Sequence, residues 1–324
     1  MSAYRHLGLA RDPFAPSSSD HAMFHRTLGH EDCLQRLQRA IHRQSGLALV
    51  LGEAGYGKST IKTALLHELR RDADIEIGII DDPRACRTDV QFLRAILDQF
   101  GLVADGRSAL DLISGFQHYI GDHDAAGRTM LLVIDEGHHL TSAQLEIVRT
   151  LLSFDPNGDQ SQRVMVVIFA QPELEEKIRR KRNLARRLSM THTLNPLNRR
   201  DTAALIGHRL NLAGQPVDAP YLLPEDAIEV IYECTGGVPR AIIDASDACL
   251  DAAIALGQTT VDAALAARAS AIAVARANAS GGTPHPSDRA NGHHAVGEGP
   301  VQTRIPFAAR HDEVARTHLH GGEQ

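Results

Sequence analysis

The chain has 324 residues, more than one compact unit normally holds, and its 43% hydrophobic and 23% charged residues exclude a fibrous or wholly disordered protein. A net charge of −6 excludes a surface that is basic throughout, so any nucleic-acid contact must come from a local patch. No apolar run reaches the roughly 18 residues of a membrane span, and the opening Met1-Ser-Ala-Tyr-Arg-His lacks the apolar centre and cleavage site of a secretory leader. Cys33, Cys86, Cys234 and Cys249 are scattered with no Cys-x-x-Cys pair, which argues against a zinc site or disulfide framework and fits a reducing cytoplasm. Lys58, Lys62, Lys177 and Lys181 are the only lysines, so the placement of each is informative.

In chain order, residues 1–30 are broken by Pro13, Pro16 and Ser17 to Ser19 and read as an irregular N-terminal arm. Apolar spacing predicts a helix over Glu31 to His42, a buried strand over Leu47 to Leu51 and a helix from Ser59 to Arg70. Next come a strand at Ile75 to Ile80, a helix at Asp89 to Phe100 capped by Thr88, and a helix at Leu110 to Ile120. A strand at Met130 to Ile134, a helix at Ser142 to Leu152 and a strand at Val164 to Phe169 follow, then a helix at Glu173 to Arg187 and a short strand at Thr191 to Leu194. This alternation predicts an α/β fold, a parallel sheet flanked by helices, over residues 31–197. Helical periodicity then dominates over Asp201 to Leu212, Pro224 to Thr235, Pro239 to Leu256 and Thr260 to Ala273, a small all-helical domain at 198–275. Residues 276–324 lack apolar periodicity and read as a disordered tail; its histidines, from His285 to His320, are too irregularly spaced to favour a metal tract.

The sharpest signal is Gly52-Glu53-Ala54-Gly55-Tyr56-Gly57-Lys58-Ser59, followed by Thr60, a full match to G-x-x-x-x-G-K-[ST] between a strand and a helix. The glycines let backbone N–H groups turn inward onto phosphate oxygens, Lys58 adds charge at the outer phosphates, and Ser59 offers a hydroxyl to Mg2+. The second signal is the strand end Ile134-Asp135-Glu136. Asp135 suits magnesium opposite the cradle, and Glu136 suits an attacking water, which favours ATP hydrolysis over phosphoryl transfer to a substrate. Its position about eighty residues downstream makes the combination specific. His138 and His139 invite a zinc reading, but adjacent residues are expected to point apart and no third ligand is spaced to join them.

These residues resemble the AAA+ ATPases, in the bacterial branch of ExeA-type secretion ATPases and TnsC/TniB-like transposition ATPases. Tyr4-Arg-His-Leu-Gly-Leu9 with Asp12-Pro-Phe14, Asp135-Glu-Gly-His-His-Leu140, Gln171-Pro-Glu-Leu174 and Gly237-Val-Pro-Arg240 are similar to that branch's motifs, in the same order, over roughly residues 4–270. The resemblance implies a P-loop (ASCE) fold with a helical lid and a homo-oligomer. It implies a sensor role for Gln171, near the γ-phosphate or attacking water, and a lid-borne sensor role for Arg240. Ala170 and Gly137 depart from the family's glycine and alanine, small residue for small residue.

Lys177, Arg179, Arg180, Lys181, Arg182, Arg186 and Arg187 crowd one stretch of an acidic chain. A solvated charged face is one reading. The resemblance implies an arginine acting in trans on a neighbouring subunit's ATP, with Arg187 the best match and Arg186 and Arg182 behind it. Contact with DNA phosphates is the third. Aromatic residues are only 4%, with no tryptophan, which disfavours base stacking as the main binding mode. The expected function is a cytoplasmic ATP-hydrolysing oligomeric switch acting on DNA or a DNA-bound protein. The alternatives are an ExeA-like ATPase assisting secretion-system assembly, disfavoured by the polar C-terminal stretch, and a nucleotide-gated binding module without hydrolysis, disfavoured by Glu136 and Gln171.

Overall fold

A computed structural model describes residues 3–15, 21–102, 108–125, 128–153, 164–215 and 221–279. The alternating runs form α1 (Leu28–His42), β1 (Leu47–Leu51), α2 (Lys58–Leu69), β2 (Ile75–Ile80), α3 (Asp89–Gln99), α4 (Ala109–Ala125) and β3 (Thr129–Ile134). They continue as α5 (Ser142–Leu152), β4 (Val164–Ala170), α6 (Glu173–Arg179), α7 (Arg182–Ala185) and β5 (Leu188–Thr193). Helices α8 (Arg199–Leu212), α9 (Glu225–Thr235), α10 (Pro239–Leu256) and α11 (Ala263–Ala279) follow. Thr27, Thr88 and Thr141 start α1, α3 and α5 with reciprocal capping boxes, because each is followed three residues on by a side chain that reaches back to the cap N–H.

The strands make one parallel sheet in the order β2-β3-β4-β1-β5. β1, β3 and β4 are apolar at nearly every position because both their faces are covered. Leu47, Leu49, Leu51, Leu132, Ile134, Val166 and Ile168 point to the side covered by α3 to α7. Ala48, Val50, Leu131, Val133, Val167 and Phe169 point to the side covered by α1 and α2. A third apolar cluster joins α8 to α11. Among the described residues no helix is long and apolar enough to cross a membrane.

Three local differences from the sequence reading have physical causes. Glu173 to Arg187 is not one helix: the backbone breaks at Lys181, whose ammonium reaches Glu146 on α5 at 2.8 Å while Leu184 turns into the core. β5 begins at Leu188 rather than Thr191 because Leu188 already pairs with Leu47. The N-terminal stretch is not irregular throughout. Ala3–Leu7 form a 3-10 turn, Leu7, Leu9 and Phe14 are buried in the cluster of α8 to α11, and the Tyr4 hydroxyl donates to Asp247 at 3.0 Å. Three apolar residues with no regular spacing leave no periodic signal, so only tertiary contact reveals them. Residues 280–324, most of the expected tail, lie outside the described residues.

Leu9 is 1% exposed, so Leu9→Ala is expected to lower stability by about 2–5 kcal/mol in urea unfolding; a change within about 0.5 kcal/mol would mean that the segment does not pack.

Candidate nucleotide-binding site

Strand register assembles the site. Leu51 pairs with Ala170 and Ile134 with Ile168, so β1, β4 and β3 end at neighbouring levels and deliver Gly52, Gln171, Asp135 and Glu136 to one end of the sheet. The Gly52 N–H donates to the Ala170 carbonyl at 3.1 Å, which fixes the start of the loop. Gly55 and Gly57 adopt φ of +84° and +93°, a region that side-chain-bearing residues rarely enter, and Gly57 turns the chain into α2.

Lys58 opens α2 and is 7% exposed. Its ammonium donates to the loop's own Gly52 and Glu53 carbonyls at 2.7 and 3.0 Å. Burial pulls its pKa below the usual ammonium range, against the pull of Glu136, Asp135, Glu53 and Glu173. Ser59 and Thr60 are exposed beside it, with their hydroxyls at the first turn of α2. Glu53 and Ala54 are exposed on the loop, and Tyr56 packs against the cluster under α2.

Asp135 is 4% exposed, with one carboxylate oxygen accepting the Glu136 N–H at 2.9 Å and the other 2.7 Å from Lys62 Nζ. Lys62 also reaches Asp81, the residue after β2, at 2.9 Å. Burial lowers the Lys62 pKa, but Asp135 and Asp81 outweigh it, and the ammonium is held above its usual range. Sequence reasoning missed Lys62. The available signal was its place one helical turn after Lys58, which puts both ammonium groups on one face of α2.

Glu136 takes a left-handed conformation, φ +48° and ψ +34°, a strain of about 1–3 kcal/mol for a residue with a side chain. The turn that follows, Gly137–His139, holds it there. A Cβ on Gly137 would lie 2.1 Å from Ile168 Cγ2, and Lys177 on α6 donates to the His138 carbonyl at 2.7 Å. Glycine at 137 is therefore not interchangeable with alanine in this chain.

The histidine pair is where the sequence reading needs correction. The 3-10 turn swings the His138 and His139 rings together, with centroids 3.9 Å apart, and their ligand atoms lie with a Glu136 oxygen inside a 4.8 Å group. Burial and then His139 lower the His138 pKa, against the pull of Glu136, whose carboxylate lies 3.4 Å from His138 Nδ1.

Gln171 follows β4 directly, and its carbonyl accepts from Leu174 at the start of α6. Arg240 lies at the start of α10, where its N–H donates to the Gly55 carbonyl at 3.3 Å and its Cβ would stand 3.1 Å from a Cβ on Gly55. Just before α10, Gly237 lets the chain pack on Leu197: at φ +77°, a Cβ there would fall 2.1 Å from the Leu197 carbonyl oxygen. Arg187 is not brought to this group. Its carbonyl accepts from Leu47 at the opposite end of β1, about 16 Å of strand away from the cradle. Much of the basic run is already paired, Arg179 with Glu175, Arg180 with Glu176 and Lys181 with Glu146.

A glycine cradle at a strand–helix turn, an acidic pair on the next strand but one and a helical segment seated on the loop define a P-loop protein of the AAA+ ATPase type, whose family binds nucleotide. Residues 25–178 match the family described as AAA domain. The chain is 32% identical over 259 residues to General secretion pathway protein A of Aeromonas hydrophila, which agrees with the ExeA-type motifs. That match takes in 78% of this chain but only 45% of the relative's length. Solved structures of similar fold include Cdc6p from Pyrobaculum aerophilum, with TM-score 0.62 and 18% identity over 78% of this chain and 69% of that one. The Aeropyrum pernix ORC2 protein in ADPNP–ADP complexes gives TM-score 0.58 and 15% identity over 78% and 71%. Drosophila ORC bound to DNA gives 0.59 and 18% over 85% and 68%. At these identities the likeness is one of fold.

Gly137→Ala is expected to cost about 1–3 kcal/mol in urea unfolding, and less in an Ile168→Ala background where Cγ2 is gone. Equal costs in both backgrounds would show that the contact with Ile168 does not hold the turn.

Proposed function

We propose that the protein binds ATP with Mg2+ and hydrolyses it as one subunit of an oligomeric switch acting on DNA or on a DNA-bound protein. The observation that carries this reading is the meeting of the cradle at 52–60, the Asp135–Glu136 pair and Gln171 at one end of the sheet, with Arg240 seated on Gly55. The donor set suits a triphosphate: a glycine-bearing loop, a buried ammonium and the N-terminal end of α2. Ser59 and Asp135 are the residues that would hold Mg2+, which supplies charge neutralisation at the phosphates. Lys58 exchanges its loop carbonyls for the outer phosphate oxygens. Glu136 accepts the proton of the attacking water as the water oxygen bonds to the terminal phosphorus and the bridging oxygen leaves with ADP. Gln171 orients that water.

Arg240 ties the helical segment, which we assign as a lid over 198–275, to the loop of the 31–197 nucleotide-binding domain. We assign Arg187, remote from its own cradle, to a neighbour's nucleotide. The four cysteines are free, in keeping with a cytoplasmic setting. A second reading, an ATPase serving secretion-system assembly, is favoured by the identity with General secretion pathway protein A and extends to a protein of which this chain spans under half.

Lys58→Ala is expected to abolish ATP binding in calorimetry, and unchanged affinity would refute the cradle. Glu136→Gln is expected to bind ATP while turnover falls by about 10²–10⁴; wild-type turnover would remove Glu136 as the base. Arg187→Ala is expected to lose turnover and regain part of it on mixing with Lys58→Ala subunits. Mixtures no more active than their parts would leave Arg187 as surface charge.

A further inference from the structure

Helix α1 carries Arg36 and Arg39, and Arg43 is its C-cap, so at spacings of three and four residues the three side chains share one face toward its C-terminal end. With Ser45, Ser189 and Met190 they line a cavity of about 320 Å³ against β5, which is an edge strand of the sheet. Among the described residues no carboxylate lines this cavity. Arg36 is directed by its hydrogen bond to the Thr191 carbonyl at 3.4 Å, with Asp32 3.7 Å away, and Arg39 by a bond from Nε to the Gln35 carbonyl at 3.2 Å. Arg39 and Arg43 are exposed. The basic run at 177–187 offers a contrast, since three of its charges already face carboxylates.

We propose that this groove binds the phosphate backbone of duplex DNA. The proposal deepens the DNA-directed reading above and rests on it. Guanidinium forks bind phosphate oxygens in pairs, and they carry this groove alone, because the Ser45 and Ser189 hydroxyls already donate to the Ala40 and Leu47 carbonyls at 2.9 and 3.0 Å. Arg36 to Arg43 spans about 10 Å of helix, the axial length of about three phosphates on one DNA strand. The C-terminal end of α1 presents about half a negative charge, which three guanidinium charges exceed severalfold. A membrane surface fits less well. The exposed large apolar residues Leu28, Leu110, Tyr221, Leu256 and Ile272 do not line the cavity, so nothing there enters the acyl layer. The same helix touches the nucleotide site at its other end, where His30 Nε2 packs 3.7 Å from the position of a Gly57 Cβ. Groove and cradle thus share one rigid element.

The test uses the full chain, a labelled duplex and Mg-ATP, with binding followed by anisotropy across a salt series. Arg39→Gln with Arg43→Gln is expected to flatten the slope of log affinity against log salt by about 2 while ATPase rate and unfolding midpoint stay unchanged. Arg179→Gln with Arg180→Gln, which removes paired charges, is expected to keep the wild-type slope. A wild-type slope in the α1 variant overturns the groove, as does wild-type protein that hydrolyses ATP yet ignores duplex at low salt. Failure of wild-type protein to hydrolyse ATP would instead overturn the ATPase reading. Loss of binding to phosphatidylserine vesicles in the α1 variant, with duplex binding intact, reassigns the groove to a membrane and also overturns the proposal.

Discussion

Parallel pairing of β4 with β1 on one side and β3 on the other is the constraint on which the site depends. Each of these strands is apolar on both faces, so alternation between polar and apolar residues cannot set their register. Size sets it instead: the side under α3 to α7 receives Leu47, Leu49 and Leu51 from β1, while the opposite side receives the smaller Ala48 and Val50. A slip of one residue would exchange these sets, leaving voids on one face and overpacking the other. It would also remove the Gly52 N–H from the Ala170 carbonyl and carry Asp135 and Glu136 away from the cradle.

Local ion pairs and hydrogen bonds then fix what the register delivers, and the lysines do most of this. Lys58 closes the loop on itself, Lys62 joins Asp135 to Asp81, Lys177 fastens the turn after Glu136 to α6, and Lys181 holds the break between α6 and α7 against α5. A compact ammonium on a flexible stem can reach carbonyls or two carboxylates at a crowded strand end, where a planar guanidinium needs a matching fork. The one-sided use of lysine in an arginine-rich chain therefore follows the geometry of the site.

The parallel sheet, the cradle and the acidic strand end were legible in the sequence because each is a short-range pattern: an apolar run, a glycine spacing, an acid after a strand. What was not legible depends on residues far apart in the chain. Gly137 reads as tolerant of alanine in the sequence, and only Ile168 on β4 beneath it excludes a Cβ there. Adjacency predicts diverging His138 and His139 rings, as in extended chain, whereas a 3-10 turn brings them together. The basic run gave a composition signal without its partners, and Glu146, the acid that takes up Lys181, lies on a different helix. Leu7, Leu9 and Phe14 carried no period because they fill gaps between helices that begin some two hundred residues later.

The three cradle glycines serve contact as well as phosphate approach. Gly52 packs against Leu194 after β5, Gly55 against Val238 and Arg240 at the head of α10, and Gly57 against His30 on α1. The missing side chains at 52 and 55 admit Leu194 and the head of α10 closely to the loop, while His30 stands at ordinary contact distance from Gly57. Packed contacts of this kind shift between discrete arrangements rather than deforming smoothly. On the switch reading proposed above, a change in the loop would reach the helical segment through α10 and the edge of the sheet through α1 and β5, without a longer relay. Substituting any one glycine disturbs one of these contacts together with the loop, so loss of nucleotide affinity and loss of its transmission cannot be separated at those positions. Substituting His30 or Val238, which touch the loop from outside, separates them.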